Sequence, residues 1–175
     1  MDLVVIPECF VDTNLTETLV PPKRGYNHQH GCGTVARVMI KTFSDSFAVG
    51  IIDKDKQEID YLKQFEILVK EGNLFLHKHK TRHHYIIQIS PAMERFILDN
   101  AEAAGINRED FGLPSNLNDL KDIAKTTRSK NDHKFRELFK AIRNQGAREF
   151  ELLASWISYL KEHTYKAEAE VLRNF

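Results

Sequence analysis

The sequence predicts an α/β domain with a mostly parallel central sheet flanked by helices, continued by a helical C-terminal part. Two short β-branched runs, Leu3-Val4-Val5-Ile6 and Phe47-Ala48-Val49-Gly50-Ile51-Ile52, read as strands buried on both faces. Between them lies an amphipathic stretch with helical spacing. Strand, helix, strand in that order suggests a parallel pair joined by a crossover. After Pro114 the pattern becomes helical throughout.

Taken in order, Pro7 ends the first run, with Glu8 just beyond it. Asp12 to Val20 has the composition of a helix, with Asp12 or Thr13 near its cap, and Pro21-Pro22-Lys23-Arg24-Gly25 breaks it. Thr34 to Phe43 puts Val35, Val38 and Met39 on one helical face. The second strand runs directly into Asp53-Lys54-Asp55-Lys56. Leu74-Phe75-Leu76 and Tyr85-Ile86-Ile87-Gln88-Ile89 are two further strands, joined by a polar run from His77 to His84. Ser90-Pro91 reads as a helix start, Ser as cap and Pro in the first turn, for a helix to about Ala104. Leu117, Leu120 and Ile123 mark a short helix. Phe135, Leu138, Phe139 and Ile142 mark another, and Phe150, Leu153, Trp156, Ile157 and Leu160 a last one whose Trp is core. The expected organisation is an α/β unit over residues 1–105 and a helical extension over 106–175 packed on it.

The 175 residues suffice for one domain with a real core. Lys plus Arg and Asp plus Glu both number 25, so no global field draws the chain to a polyanion, which must be met by a local patch or through metal ions. Cys9 and Cys32 cannot make a disulfide framework, and no Cys/His spacing matches a structural zinc site. The acidic, briefly apolar N-terminus argues against a signal peptide. No apolar run approaches the roughly 18 to 20 residues that span a bilayer. A cytoplasmic location without membrane contact is expected.

Acidic residues directly after buried strands carry the chemistry. Ligands of open α/β sheets sit at the carboxyl ends of the strands, so Glu8, Asp53 and Asp55 should meet at one edge. Asp-x-Asp at a strand end directs both side chains to one side. Carboxylates converging there repel one another unless a cation holds them, and Mg²⁺ prefers such hard oxygen ligands.

These residues resemble the Toprim domain shared by topoisomerases, bacterial primases and OLD-type nucleases. Its first strand ends in Glu-Gly with an Asp soon after, and a later strand ends in Asp-x-Asp. Here LVVIPE ends in Glu8, Asp12 follows, and VGIIDKD carries Asp53 and Asp55; Cys9 stands where the family keeps Gly. Ser90-Pro91-Ala92-Met93-Glu94-Arg95-Phe96 is similar to the Pro-x-x-Glu-x-aromatic helix start of small nuclease-like relatives, where the Glu lies near the metal. The resemblance covers roughly the first 100 residues. It implies Mg²⁺ or Mn²⁺ held by Glu8, Asp12, Asp53 and Asp55. It also implies phosphodiester cleavage in nucleic acid with Glu8, Asp53, Asp55 and Glu94 catalytic, and an ATPase as partner protein. Lys54, Lys56, Lys78, Lys80 and Arg82 are the candidate nucleic-acid contacts.

Other readings stand beside this one. Asp-Lys-Asp-Lys is good turn chemistry, Asp12 makes a good helix cap, and Glu94 in a first turn is favoured by the helix dipole alone. His28 and His30, in the glycine-flanked loop Asn27-His28-Gln29-His30-Gly31, can offer backbone N–H groups to a phosphate or be plain loop. His77, His79, His83 and His84 read as a solvated basic tip. Phe10-Val11-Asp12-Thr13-Asn14 also resembles the strand-end Asp-Thr-Asn of PIN-like nucleases, with Asp12 as ligand. The non-enzymatic alternative is a partner-binding or regulatory module with a degenerate acidic site. DNA against RNA and oligomeric state are not legible.

Overall fold

The computed structural model of the protein describes residues 2–54 and 59–175. Five strands form one sheet: β1 (Val5–Pro7), β2 (Ala48–Asp53), β3 (Phe65–Glu71), β4 (Leu74–His79) and β5 (His84–Ile89), in the order β1-β2-β5-β4-β3. β1 pairs with β2, and β2 with β5, in parallel. β4 is antiparallel to both β5 and β3. The sheet is therefore mixed, not mostly parallel as expected. The reason lies in the short connections: Gly72-Asn73 joins β3 to β4 and residues 80–83 join β4 to β5, too few to cross over to a parallel neighbour.

β3 escaped the sequence reading because Phe65–Glu71 mixes apolar and charged residues. It is an edge strand, with Ile67 59% exposed, and its exposed Glu66 and Lys70 discourage further pairing along that edge. The opposite edge is covered differently. An extended segment runs beside β1, where Asn27 N–H donates to Val5 O at 3.0 Å and Gln29 N–H to Pro7 O at 2.9 Å.

Helices cover both faces: α1 (Phe10–Leu19), α2 (Cys32–Thr42), α3 (Met93–Ala103), α4 (Leu117–Ala124), α5 (His133–Asn144), α6 (Arg148–His163) and α7 (Ala169–Arg173). One face carries α2, with Val35 and Met39 packed on Ile6, Ala48, Ile52 and Ile86. The approach is close: a Cβ on Gly50 would lie 2.9 Å from Met39 Sδ and 3.0 Å from Val35 Cγ1, so β2 requires glycine there.

The other face carries the thicker layer. Val49, Ile51, Ile87 and Ile89 of the sheet join Leu15, Phe96, Phe135, Phe139, Phe150 and Trp156 in one apolar cluster. The C-terminal helices thus share a core with the strands. Phe96 and Phe150 stack at 5.5 Å, tying α3 to α6, and Trp156 Nε1–H donates to Leu172 O at 3.1 Å, tying α6 to α7. No helix among the described residues is long and apolar enough to cross a membrane.

Candidate functional site

Because β1, β2 and β5 run the same way, their carboxyl ends form one edge, and Glu8 and Asp53 meet there. Asp53 N–H donates to Glu8 Oε2 at 2.9 Å across 45 residues of sequence. Lys54 N–H continues the β2–β5 pairing by donating to Ile89 O at 2.8 Å.

Two helices begin at this edge. In α1, Cys9 is the cap and Asp12 the third helical residue of a capping box. Cys9 N–H donates to Asp12 Oδ2 at 3.1 Å, and Asp12 N–H to Cys9 Sγ at 3.5 Å. The sequence predicts a helix from Asp12 with Asp12 or Thr13 near its cap, whereas the helix begins at Phe10 and its cap is Cys9, which is not among the usual capping residues. The stretch compared with a PIN-like strand end is instead the first turns of a helix.

In α3, Ala92 occupies the cap position without a side-chain cap bond, and neither Ser90 nor Pro91 plays the role expected of it. Asp53 supplies the missing acceptor from another strand: Met93 N–H donates to its Oδ1 at 2.9 Å. Glu94, next in the helix, is 7% exposed.

Four carboxyl groups, Glu8, Asp12, Asp53 and Glu94, therefore crowd one edge. Burial pushes the Asp53 carboxyl up to about 9, and the charges of Asp12, Glu8 and Glu94 push the same way against the Met93 N–H. Burial likewise pushes Asp12 up to about 7; the Cys9 side chain opposes this, and the charges of Glu8 and Glu94 add to it. Burial, then Asp12, holds the Cys9 thiol well above its usual range, so it stays protonated and is no nucleophile. Asp12 Oδ1 is buried without a hydrogen-bond partner among the described residues. Such a group is costly unless something meets it.

The donor set is all hard oxygen, which suits Mg²⁺ or Mn²⁺. Among the described residues, no group of three or more His, Cys, Asp or Glu side chains is arranged to hold a metal ion. Asp55 and Lys56 lie outside those residues.

The basic candidates divide. Lys54 stands at the acidic edge with its Nζ 4.8 Å from the centre of the Phe75 ring, and Lys70 approaches the same ring at 5.2 Å. Lys78, Lys80 and Arg82 lie at the opposite end of the sheet, where β5 begins. Six residues of β5 separate the two edges, roughly 15 to 20 Å.

The histidines there are not a solvated tip. His77, His79 and His84 are buried. His84 Nδ1 lies 2.6 Å from Tyr61 Oη and its Nε2 2.8 Å from Phe43 O. His79 Nδ1 accepts from Arg82 N–H at 3.0 Å and Thr81 N–H at 3.1 Å, and its Nε2 meets Gln64 Oε1 at 3.2 Å. Of this group, only His83 is exposed as expected.

His28 and His30 sit elsewhere, on the loop beside β1, and form an aromatic group with Phe10. Phe10 and His28 stack at 4.4 Å, and His30 meets Phe10 at 4.9 Å and His28 at 4.8 Å, edge-on. No spacing rule finds this group, because the three residues belong to two different segments. Comparison with protein-family models, curated proteins and solved structures returns no match for this chain.

Proposed function

We propose that the protein is a divalent-cation-dependent phosphodiester-cleaving enzyme of Toprim-like organisation, acting on nucleic acid at the acidic edge. The observation that carries this reading is the crowding of Glu8, Asp12, Asp53 and Glu94 where two parallel strands end and two helices begin. Buried like charges destabilise a fold, and sites where environment drives carboxyl groups far from their ordinary ionisation are disproportionately functional. The unpartnered Asp12 Oδ1 is further support.

The carboxylates of Glu8, Asp12 and Asp53, which do not form a metal-holding group as they stand, would be drawn in around bound Mg²⁺ or Mn²⁺, and Asp55 would join them. A bound cation would supply a Lewis acid for a phosphoryl oxygen and would lower the pKa of a bound water, making it easier to ionise. The chain's own residues do the rest. Asp53 is fixed by Met93 N–H, and Glu8 by Asp53 N–H, so both carboxylates are held against rotation. The amino ends of α1 and α3 favour negative charge at the same edge. In this reading Glu94, buried beside the cluster, would serve the reaction alongside Asp53, and Lys54 would offer a cation to a phosphate.

A second reading is favoured by the hydrogen bonds themselves. Asp53 capping α3 and Glu8 capping the end of β2 are sufficient structural roles, and they suit a degenerate acidic site in a partner-binding module. Calorimetric titration of Mg²⁺ and Mn²⁺ into the wild type and Asp53→Asn separates the two. Asn keeps an Oδ1 acceptor for Met93 N–H while removing the charge. The enzyme reading expects metal binding and cleavage of single- or double-stranded DNA or RNA in the wild type, both lost in the variant. Metal binding and cleavage that survive Asp53→Asn would remove the metal from this edge, and a wild type that shows neither would favour the binding module.

A further inference from the structure

Phe10 is half-buried, yet among the described residues it packs into neither of the two apolar clusters, and its ring meets His28 and His30. An aromatic ring kept out of the core beside a candidate site calls for a partner. The group is built rather than accidental. Asn27 and Gln29 pair with β1, and Gly31 N–H donates to Glu8 O at 3.3 Å, so the loop is fastened along the strand that ends in the acidic cluster. Thr13 Oγ1, itself bonded to Cys9 O at 2.7 Å, lies 2.9 Å from His28 Nδ1 and fixes that ring against Phe10. His30 stands outermost and is exposed.

The surroundings favour a polyanion with flat apolar groups. Lys130 is close enough to His28 to help disfavour its protonation, after burial. Lys130 and Arg128 belong to the turn Thr127–Asn131, which α1 grips through Asn14 Nδ2–H to Ser129 O at 2.6 Å. Stacking rings with a cation beside them, next to the acidic edge, match an unpaired nucleotide, whose base offers a π-face while its phosphate meets Lys130. In a duplex the base faces are covered by their neighbours.

We propose that Phe10, His28 and His30 form a stacking platform for an unpaired base, so that the substrate of the acidic edge is single-stranded nucleic acid. The proposal deepens the phosphodiester reading and rests on it for the reaction, but binding can be tested apart from cleavage.

Fluorescence anisotropy of a labelled short single-stranded oligonucleotide in EDTA at low ionic strength removes cation-dependent cleavage from the readout. The wild type should bind. His30→Ala, an exposed change that leaves the fold intact, and Phe10→Leu should each weaken binding on the order of tenfold. A matched oligonucleotide whose bases are replaced by abasic sites should bind the wild type as weakly as the variants bind the normal strand. The platform is overturned if His30→Ala binds as tightly as the wild type, if the abasic strand does, or if the wild type does not bind. A wild type that shows neither metal binding nor cleavage in the calorimetric test, with base-dependent binding retained, would sink the enzyme reading alone.

Discussion

The two ends of the sheet solve the same problem in opposite ways. Both bury titratable side chains. At the end where β5 begins, both ring nitrogens of His79 and of His84 have partners, and burial keeps both rings less readily protonated than usual. Among the described residues, Arg82 Nη1 is buried there without a hydrogen-bond partner. At the acidic end, Asp12 and Asp53 hold protons into the neutral range because burial and neighbouring carboxylates leave their charges uncompensated. At one end the protein itself partners the buried rings; at the other it leaves buried carboxyl groups uncompensated. Conflict of this kind concentrates where a fold gives up stability for function.

The sharpest way to break the comparison is at the satisfied end. His84→Ala leaves the Tyr61 hydroxyl and the Phe43 carbonyl without their partner, and should cost about 3 kcal/mol in urea unfolding. A loss below about 1 kcal/mol would mean that this cluster is not the structural one.

The converse holds at the acidic end. Asp12→Asn removes a buried charge while its Oδ1 atom can still accept from Cys9 N–H. It should stabilise the protein by about 1 kcal/mol near pH 8 and weaken Mg²⁺ binding. Destabilisation at that pH would show the carboxylate to be locally useful rather than held in reserve.

The subtlest difference is the sign of the pH dependence. Asp12 is raised from 3.8 to about 7, so between those values the folded chain holds a proton that the unfolded chain has lost. Stability from this site is present in acid and falls as pH rises through neutrality. His79 and His84 are lowered from 6.5, so the unfolded chain takes up their protons first, and stability is lost as pH falls below that value. From 3.8 to 6.5 these contributions oppose each other, and above 6.5 the raised carboxyl groups alone act, Asp12 to about 7 and Asp53 to about 9, so urea midpoints should fall from neutrality to about pH 9. Asp12→Asn should make stability fall more steeply toward acid between 3.8 and about 7 and leave the slope above that unchanged, and added Mg²⁺ should raise the midpoints most above neutrality, since protons compete with the cation.

Much of the acidic edge was legible because it rests on local rules: a β-branched run, then a carboxylate, twice. Glu8 and Asp53 met as the parallel pairing of β1 and β2 required. What escaped was non-local. Ser90 reads as a cap from its neighbours, but the cap of α3 is Asp53, on another strand. His77, His79 and His84 look like a wet tip among Lys and Arg, because burial there depends on Tyr61, Gln64 and Gln88 arriving from other segments. β3 and α7 were missed for a related reason: a charged edge strand and a five-residue helix carry too little periodicity to stand out.

The amide of Asn14 has a consequence for how the chain is made. It is buried in α1, with Nδ2–H bonds to Ser129 O and to Asp132 O, the latter at 3.1 Å. Arg143 likewise reaches back to Leu19 O at 2.8 Å, and Lys161 to Asp2 at 3.0 Å. A ribosome delivers the early partners of these bonds long before the late ones. The first helix, with the carboxyl group it carries, is therefore locked only after residues 129–161 have left the exit tunnel, and the acidic edge reaches its final form no earlier than that.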